Sequence, residues 1–319
     1  MSAETSAAGR SPAAGGVIHD LGYRRYDGPR LGRPRIVTAL AWYSFRSAFG
    51  FGRGAKAKIV PLAALIGICL PAVVNAFVMS RGSARVVDYD TYLPVLRDLI
   101  MTVFVAVQAP ELVSRDLRSR VLPLYFSRPV QPGDYPLAKY LGFTAACLVM
   151  LEVPLLVLYG GSIASVHGGA AVWAQTEALI PGLLLGLMWA VSLAAIGLFL
   201  ASLSGRRGFA TGTVAIAFLL TYALAQILLQ VETQAVAHPG PAGRLAGGPS
   251  APSRAEQVAG LFSPFTLFDG VRRWLGGTSP GDNVPALGGF GAVYALVLIV
   301  LVGLCLYGLA VRYRKARLS

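Results

Sequence analysis

Charged side chains are scarce in this chain of 319 residues. Asp, Glu, Lys and Arg make up only 13% of it, whereas soluble globular domains usually carry roughly 25%. Hydrophobic residues make up 55%, and the mean hydropathy is +0.61. This composition excludes an ordinary soluble domain and indicates a protein that folds in a lipid bilayer.

Cysteine and histidine are also rare. The three cysteines, Cys69, Cys147 and Cys305, each lie in an apolar stretch, so a disulfide framework or a CxxC metal site has no support. The three histidines are dispersed, and the sequence contains no HExxH, GxSxG or GxxxxGK[ST] motif. We therefore expect that the chain is not an enzyme and binds neither metal nor cofactor. The first 58 residues lack the apolar core of a signal peptide, so the first apolar helix is expected to stay in the membrane.

Six apolar stretches are long enough to cross a bilayer, which takes about 20 residues of helix. With the N-terminus inside, 21 of the 28 Lys and Arg residues fall on the inner side, six fall outside and Arg97 lies within a span. This bias predicts that both termini are cytoplasmic, and it explains the net charge of +13 without a nucleic-acid partner. The predicted spans cover approximately residues 59–79, 93–113, 137–159, 178–202, 208–229 and 290–311.

The segment before the first span divides in two. Residues 1–18 are small and polar, and we expect a disordered tail. Residues 19–58 are predicted to form a cytoplasmic arm and an interfacial elbow helix, because aromatic and basic residues recur there at near-helical spacing. The run from Gly50 to Lys56 superficially resembles a phosphate-binding loop. It lacks the Gly-Lys-Ser/Thr ending and a preceding buried strand, so nucleotide binding is not expected there.

The remaining segments complete the predicted six-helix domain, residues 59–311. The outer segment 230–289 contains a flexible stretch rich in Pro, Gly and Ser, followed by two short amphipathic helices within 255–275 that we expect to dip into the outer leaflet. Residues 312–319 form a basic cytoplasmic tail. In the second outer helix Ser263 is a suitable N-cap and Pro264 suits the first helical position; apolar residues around this start are Phe262, Phe265 and Phe268.

Besides Lys139, which lies at the inner edge of the third predicted span, four charged residues lie inside predicted spans, where a charge costs about 2.5 to 3.5 kcal/mol at the centre. Arg97 and Asp98 lie near the outer boundary and Glu111 near the inner one, so these side chains are expected to reach the boundary. Glu152 is deeper and must face protein or a watery cavity. Two roles remain open for it: a structural hydrogen bond to another helix, or the binding of substrate or transfer of protons.

Glycines recur in the fourth and fifth predicted spans. Small residues allow helices to approach closely. We expect this packing to occur within one subunit rather than to form a dimer motif. The glycines concerned are Gly182, Gly186, Gly197, Gly208 and Gly212.

The loop between the second and third spans carries the most specific pattern. Asp116 leads into a short apolar turn, residues 122–126, which is followed by Ser127-Arg128-Pro129 and then by Asp134-Tyr135 to Lys139. These elements resemble the first cytoplasmic loop of type-2 ABC exporter permeases, including its short coupling helix. The elbow helix, the six spans and the paired outer helices agree with this family. A longer loop at 238–253 and a rather basic coupling loop depart from it.

The resemblance implies a permease subunit in a bacterial plasma membrane that moves an amphipathic or hydrophobic substrate out of the cell. Two permease subunits, identical or paired with a relative, would bind two cytosolic subunits that hold ATP and Mg. The arm residues Tyr23, Arg24, Tyr26 and Arg30 are similar to the N-terminus of one bacterial branch. The residues implied in coupling to the ATPase are Arg115, Asp116, Arg118, Arg120, Leu124, Tyr125, Phe126, Arg128, Pro129 and Asp134.

Other functions remain open. The chain is alternatively a secondary antiporter driven through Glu152, although no inverted repeat or second deep carboxylate is visible. A membrane-embedded enzyme or a scaffold that transports nothing is a further alternative. For residues 115–130, the alternative to docking is adhesion to anionic membrane lipids, which arginines also favour.

Overall fold

Helices account for all the regular structure in the described part of the chain. The computed structural model describes residues 32–81, 89, 94–118, 131, 133–237, 254–275 and 290–316. From Arg33 onward these residues belong to one compact unit. This part of the chain contains no strand, so the predicted all-α class is confirmed for it.

Six helices of 25 to 34 residues correspond one to one to the predicted spans. They are accompanied by shorter helices before the first of them and before the last. In chain order the described helices are α1 (Arg33–Ala48), α2 (Lys56–Ser80), α3 (Pro94–Arg118), α4 (Asp134–Ser165), α5 (Gly169–Ser202), α6 (Arg207–Ala237), α7 (Arg254–Ala259), a 3-10 turn (Gly260–Phe262), α8 (Pro264–Trp274) and α9 (Gly291–Ala316).

Five of the long helices, α2, α4, α5, α6 and α9, are long and apolar enough to cross a membrane. The chain is therefore a multi-pass membrane protein. Helix α3 is as long as α2, at 25 residues. Its hydropathy is lower because it contains Arg97, Asp98 and Glu111. Its predicted role as a sixth crossing therefore depends on how those charges are accommodated.

Successive long helices run in opposite directions. Near the end of α3, the Ser114 hydroxyl donates a hydrogen bond to the carbonyl of Ala201 at the end of α5, at 3.1 Å. Arg312 of α9 donates to the carbonyl of Leu203, just after α5, at 2.9 Å. At this end of the bundle α2, α4 and α6 begin, and α3, α5 and α9 finish. We call it the basic end, because Arg53, Arg207 and Arg312 lie there. From Arg33 onward, the described helix ends that the sequence assigns to the cytoplasm therefore lie at one common end.

Helix α1 packs along the first half of α4. Ser44 and Ala48 are buried, and a Cβ at Gly142 of α4 would leave only 2.7 Å to the Cβ of Ser44. Trp42 and Tyr43 of α1 are both 61% exposed. An amphipathic helix that presents Trp and Tyr in this way has the composition of elements found at the membrane–water interface.

The glycines of α5 allow it to occupy the centre of the bundle. A Cβ at Gly197 would overlap the side chain of Val105 on α3, and one at Gly186 would overlap Glu152 on α4. The expectation of close packing within one chain is confirmed at these positions. It is not confirmed for Gly208 and Gly212 of α6, because no described residue outside α6 comes within 4 Å of a Cβ built there.

The two short helices predicted within 255–275 are present as α7 with its 3-10 turn and α8. The Ser263 hydroxyl accepts a hydrogen bond from the Phe265 amide at 3.3 Å, and Pro264 occupies the first turn, so the predicted helix start is confirmed. Phe265 and Phe268 are buried against Trp189 of α5. Phe262 is different, with 53% of its surface exposed. The apolar repeat in the sequence includes Phe262, but this side chain does not belong to the buried face.

Candidate functional site

Asp116 connects the end of α3 to the beginning of α4. Its carboxylate lies 2.8 Å from the ammonium nitrogen of Lys139 and accepts a hydrogen bond from the Tyr135 hydroxyl. The Lys139 side chain is only 7% exposed, and its ammonium group also lies over the rings of Tyr43 and Tyr135. Because both charges are largely buried, each depends on the other for compensation.

Asp134 connects the beginning of α4 to α1. The Arg33 guanidinium donates two hydrogen bonds to its carboxylate, at 2.8 and 2.7 Å, in a bidentate arrangement. The Gln131 amide donates a third, at 2.9 Å. The hydrogen bond to Asp134 raises the pKa of Arg33 against the opposing effect of burial, so the guanidinium stays charged. Charge-assisted bidentate pairs of this kind fix geometry more strongly than single hydrogen bonds do.

These two carboxylates stand on either side of residues 119–130, which include the predicted coupling turn. Asp116 is anchored to α4 before this segment, and Asp134 is anchored to α1 after it. Of the ten predicted coupling residues, these two have described side chains. Arg115 and Arg118 lie in the last turns of α3, and their side chains are outside the described part of the chain, as are residues 120–130 and the arm residues 23–30.

Sequence reasoning did not find one member of this site, Arg33. The only local signal is its position directly before Pro34 at the start of a helix. Asp116, Tyr135 and Lys139 all belong to the motif that carries the family resemblance, but the motif does not show that Tyr135 and Lys139 both bind Asp116. The structure shows that all three meet at one carboxylate.

Glu111 forms a second charged cluster at the basic end. Arg53, from the turn between α1 and α2, lies 2.5 Å from one carboxylate oxygen, and Arg207 at the start of α6 pairs with the other. Arg53 also donates to the carbonyl of Ser47 at 2.5 Å and to Gln108 at 3.3 Å. The Glu111 side chain is only 6% exposed. Two arginines therefore compensate the charge of this buried carboxylate, and one of them, Arg207, is itself 64% exposed. That Glu111 lies near the inner membrane boundary stays a prediction.

A cavity of about 1060 Å³ lies beside this cluster. The start of α2, the last part of α3 and the turn before α6 line it. Its charged residues are Arg53, Lys56, Glu111 and Arg207, and most of its other described lining residues are small or apolar. The cavity therefore combines a basic rim with apolar walls.

Arg97 and Asp98 are also buried within the described helices. Arg97 donates to Asp98 at 2.9 Å and lies 3.6 Å from Asp269 of α8. Arg272 of α8 lies 3.7 Å from the same Asp269 oxygen and is only 1% exposed. The Arg97 guanidinium stacks 5.1 Å from the ring of Phe268. Two acidic and two basic groups thus balance each other between α3 and α8, at the end opposite to the basic end.

Glu152 lies at the contact between α4 and α5. A Cβ on Gly186 would overlap its carboxylate, so glycine at position 186 makes room for the group. One carboxylate oxygen is buried, and no described residue donates a hydrogen bond to it. The expected alternative of a hydrogen bond to another helix is thus not seen among these residues, and the contact with α5 is one of packing.

Within the described residues, no group of three or more His, Cys, Asp or Glu side chains is placed to hold a metal ion. Neither a family model nor a curated protein matches this chain. The arrangement of its own residues is therefore the basis for a functional proposal.

Proposed function

We propose that the chain is the membrane-spanning permease subunit of an ATP-driven ABC exporter that moves an amphipathic or hydrophobic substrate out of a bacterial cell. The observation that carries the proposal is the anchoring of the two described carboxylates that flank residues 119–130. Asp116, before them, pairs with Lys139 of α4, and Asp134, after them, pairs with Arg33 of α1. Charge pairs at both flanking positions would pass a push on the coupling loop to two helices.

The pairing of charges on α3 supports its assignment as a sixth crossing. Charged residues in a membrane helix are tolerated when they face the protein interior and pair there. Arg97 and Asp98 pair with each other and with α8, and Glu111 pairs with Arg53 and Arg207. In this proposal six helices cross the membrane, α1 is the interfacial elbow helix, and the basic end faces the cytoplasm.

The family resemblance supplies the proposed partners. Two copies of a cytosolic ATP-binding subunit would hold ATP and Mg, and a second permease subunit, identical or related, would complete the transporter. Buried aromatic residues commonly supply most of the energy of an interface, and charged rims supply register. Tyr125 and Phe126 are therefore the proposed anchors for the ATPase, with the neighbouring arginines at the rim.

Co-purification tests the function directly. The permease, extracted from its native membrane, is expected to bring down a soluble ATPase whose activity is sensitive to vanadate and requires both proteins. Tyr125→Ala combined with Phe126→Ala should cost more than about 2 kcal/mol of association and release the ATPase from an inserted, folded permease. Arg120→Gln combined with Arg128→Gln is the control for lipid adhesion, which depends on charge. A full complement of ATPase on the aromatic double variant would contradict the proposal.

Accessibility of introduced cysteines tests the six crossings. In a variant without native cysteines, labels at Ser119, Ser204 and Ser319 are expected to react only from the cytoplasm, and a label at Ser250 only from outside. Helix α3 decides the result, because a chain in which α3 does not cross would place Ser119 on the same side as the residues that precede α3. Reaction of Ser119 from outside would overturn the topology.

A further inference from the structure

The cavity at the basic end has no part in the coupling proposal, and its charges do not balance. Arg53, Lys56 and Arg207 bring three positive charges, and Glu111 brings one negative charge to the described lining. Glu111 already pairs with both arginines, while Lys56 forms no ion pair with any described residue. The lining therefore carries an excess of two positive charges, which favours an anionic occupant.

One hydrogen-bond donor at this cavity lacks a described partner. The Nε of Arg53 is buried and has no hydrogen-bond partner among the described residues. Helix α2 begins at Lys56 without a side-chain cap, and the amides of Ala57 and Lys58 donate to the carbonyls of Gly54 and Ala55. The start of α2 therefore adds only the partial positive charge of a helix N-terminus at the same wall. Guanidinium and ammonium groups are donors that commonly hold phosphate oxygens.

The remaining walls exclude a free phosphate ion as the natural occupant. Val60 of α2 and Val107 and Pro110 of α3 are apolar, and Ile59 and Leu62 continue an exposed apolar face along α2. The cavity, at about 1060 Å³, is as large as sites that hold organic molecules of drug size, which are typically about 300 to 1,000 Å³. Its occupant should therefore combine an anionic phosphate with an apolar body.

We propose that this cavity binds the phosphate headgroup of an anionic phospholipid from the leaflet at the basic end. Arg53, Lys56 and Arg207 contact the phosphate, and Glu111 holds the two arginines in place. The lipid chains follow the apolar face of α2. This proposal requires that the basic end lies at a membrane surface, but it does not require an ATPase partner, so it can fail or succeed independently of the exporter function.

Native mass spectrometry of the full chain in neutral detergent tests the proposal. The protein is titrated with phosphatidylglycerol, with phosphatidylcholine of the same acyl chains, and with inorganic phosphate. Lys56→Gln removes a cavity charge, and Lys58→Gln on the same helix is the control because Lys58 does not line the cavity. Arg207→Gln and its neighbour Arg206→Gln form a second matched pair.

The expected result is that phosphatidylglycerol binds and that Lys56→Gln raises its Kd about tenfold, the loss of one charge-assisted hydrogen bond. Lys58→Gln should change the Kd less than about twofold, since Lys58 lies over the ring of Phe51 and does not line the cavity. Arg207→Gln can unfold the protein, because it removes one of the two charges that pair with Glu111. In that case the comparison of Lys56→Gln with Lys58→Gln tests the site. Equal effects of Lys56→Gln and Lys58→Gln would overturn the site. Equal binding of phosphatidylcholine, or saturation by inorganic phosphate that displaces the lipid, would overturn the assignment to an anionic phospholipid.

Discussion

Arg33, the first residue of α1, donates two hydrogen bonds to Asp134, the first residue of α4, although 101 positions separate them in the sequence. The pair joins the start of α1 to the start of α4. In the proposed exporter it lies on the route by which a push on the coupling loop reaches α1. A surface guanidinium and a largely buried carboxylate share the contact, since Arg33 is half exposed and Asp134 is 6% exposed.

Replacing Arg33 by Gln should reduce transport more than it reduces insertion or folding. The substitution removes the charged partner of Asp134 and leaves the Gln131 amide as its remaining donor. Because Arg33 is half exposed, added salt should weaken coupling in the native protein as well. Transport per hydrolysed ATP in proteoliposomes measures the effect. Arg35→Gln is the matched control, because Arg35 is exposed on the same helix and forms no ion pair with a described residue.

Replacing Lys139 by Met should lower the free energy of unfolding by about 3 to 5 kcal/mol, the usual cost of breaking one side of a buried pair. Asp116 then keeps the Tyr135 hydroxyl as a donor but loses its counter-charge. The combination Asp116→Asn with Lys139→Met should be less destabilising than the sum of the two single changes. Thermal unfolding in detergent measures all three variants. Additive effects would show that the pair contributes nothing to stability.

Replacing Gly142 by Ala should displace α1 from α4. A Cβ at this position overlaps the backbone of Ala41 and the side chain of Ser44, and forced overlap in a packed contact costs about 1 to 3 kcal/mol. Gly160→Ala on the same helix is the control, because no described residue outside α4 comes within 4 Å of a Cβ there. Limited proteolysis between α1 and α2 measures the displacement. Equal protection of the two variants would contradict the close packing.

Replacing Glu152 by Gln should preserve both folding and ATP-driven transport. Glutamine has nearly the same shape, and no described residue donates a hydrogen bond to the buried carboxylate oxygen, so little is lost. A proton-driven antiporter predicts the opposite result, the loss of transport driven by a pH gradient. Substrate flux in vesicles, with ATP or with a pH gradient as the driving force, separates the two functions. Loss of ATP-driven flux in a folded Gln variant would give Glu152 a direct role in export.

Several features of this protein follow from local sequence alone. The apolar runs predicted all six long helices, because a bilayer requires about 20 residues of helix whose backbone groups are satisfied internally. Ser263 and Pro264 predicted the start of α8, because capping depends on residues that are adjacent in the chain. The inner Lys and Arg residues predicted a common end, and the described ends of the helices do meet there.

Only the tertiary structure decided where the charges and several apolar side chains go. Hydropathy marked Arg97 and Glu111 as charges within a span, but only the structure shows that both are buried beside partners that lie far away in the sequence. Spacing along one helix also could not separate buried Phe265 from exposed Phe262, or show that Gly212 faces no neighbour. The physical reason is the same in each case. Periodicity gives the faces of a helix, whereas pairing and burial depend on which other helix lies against each face.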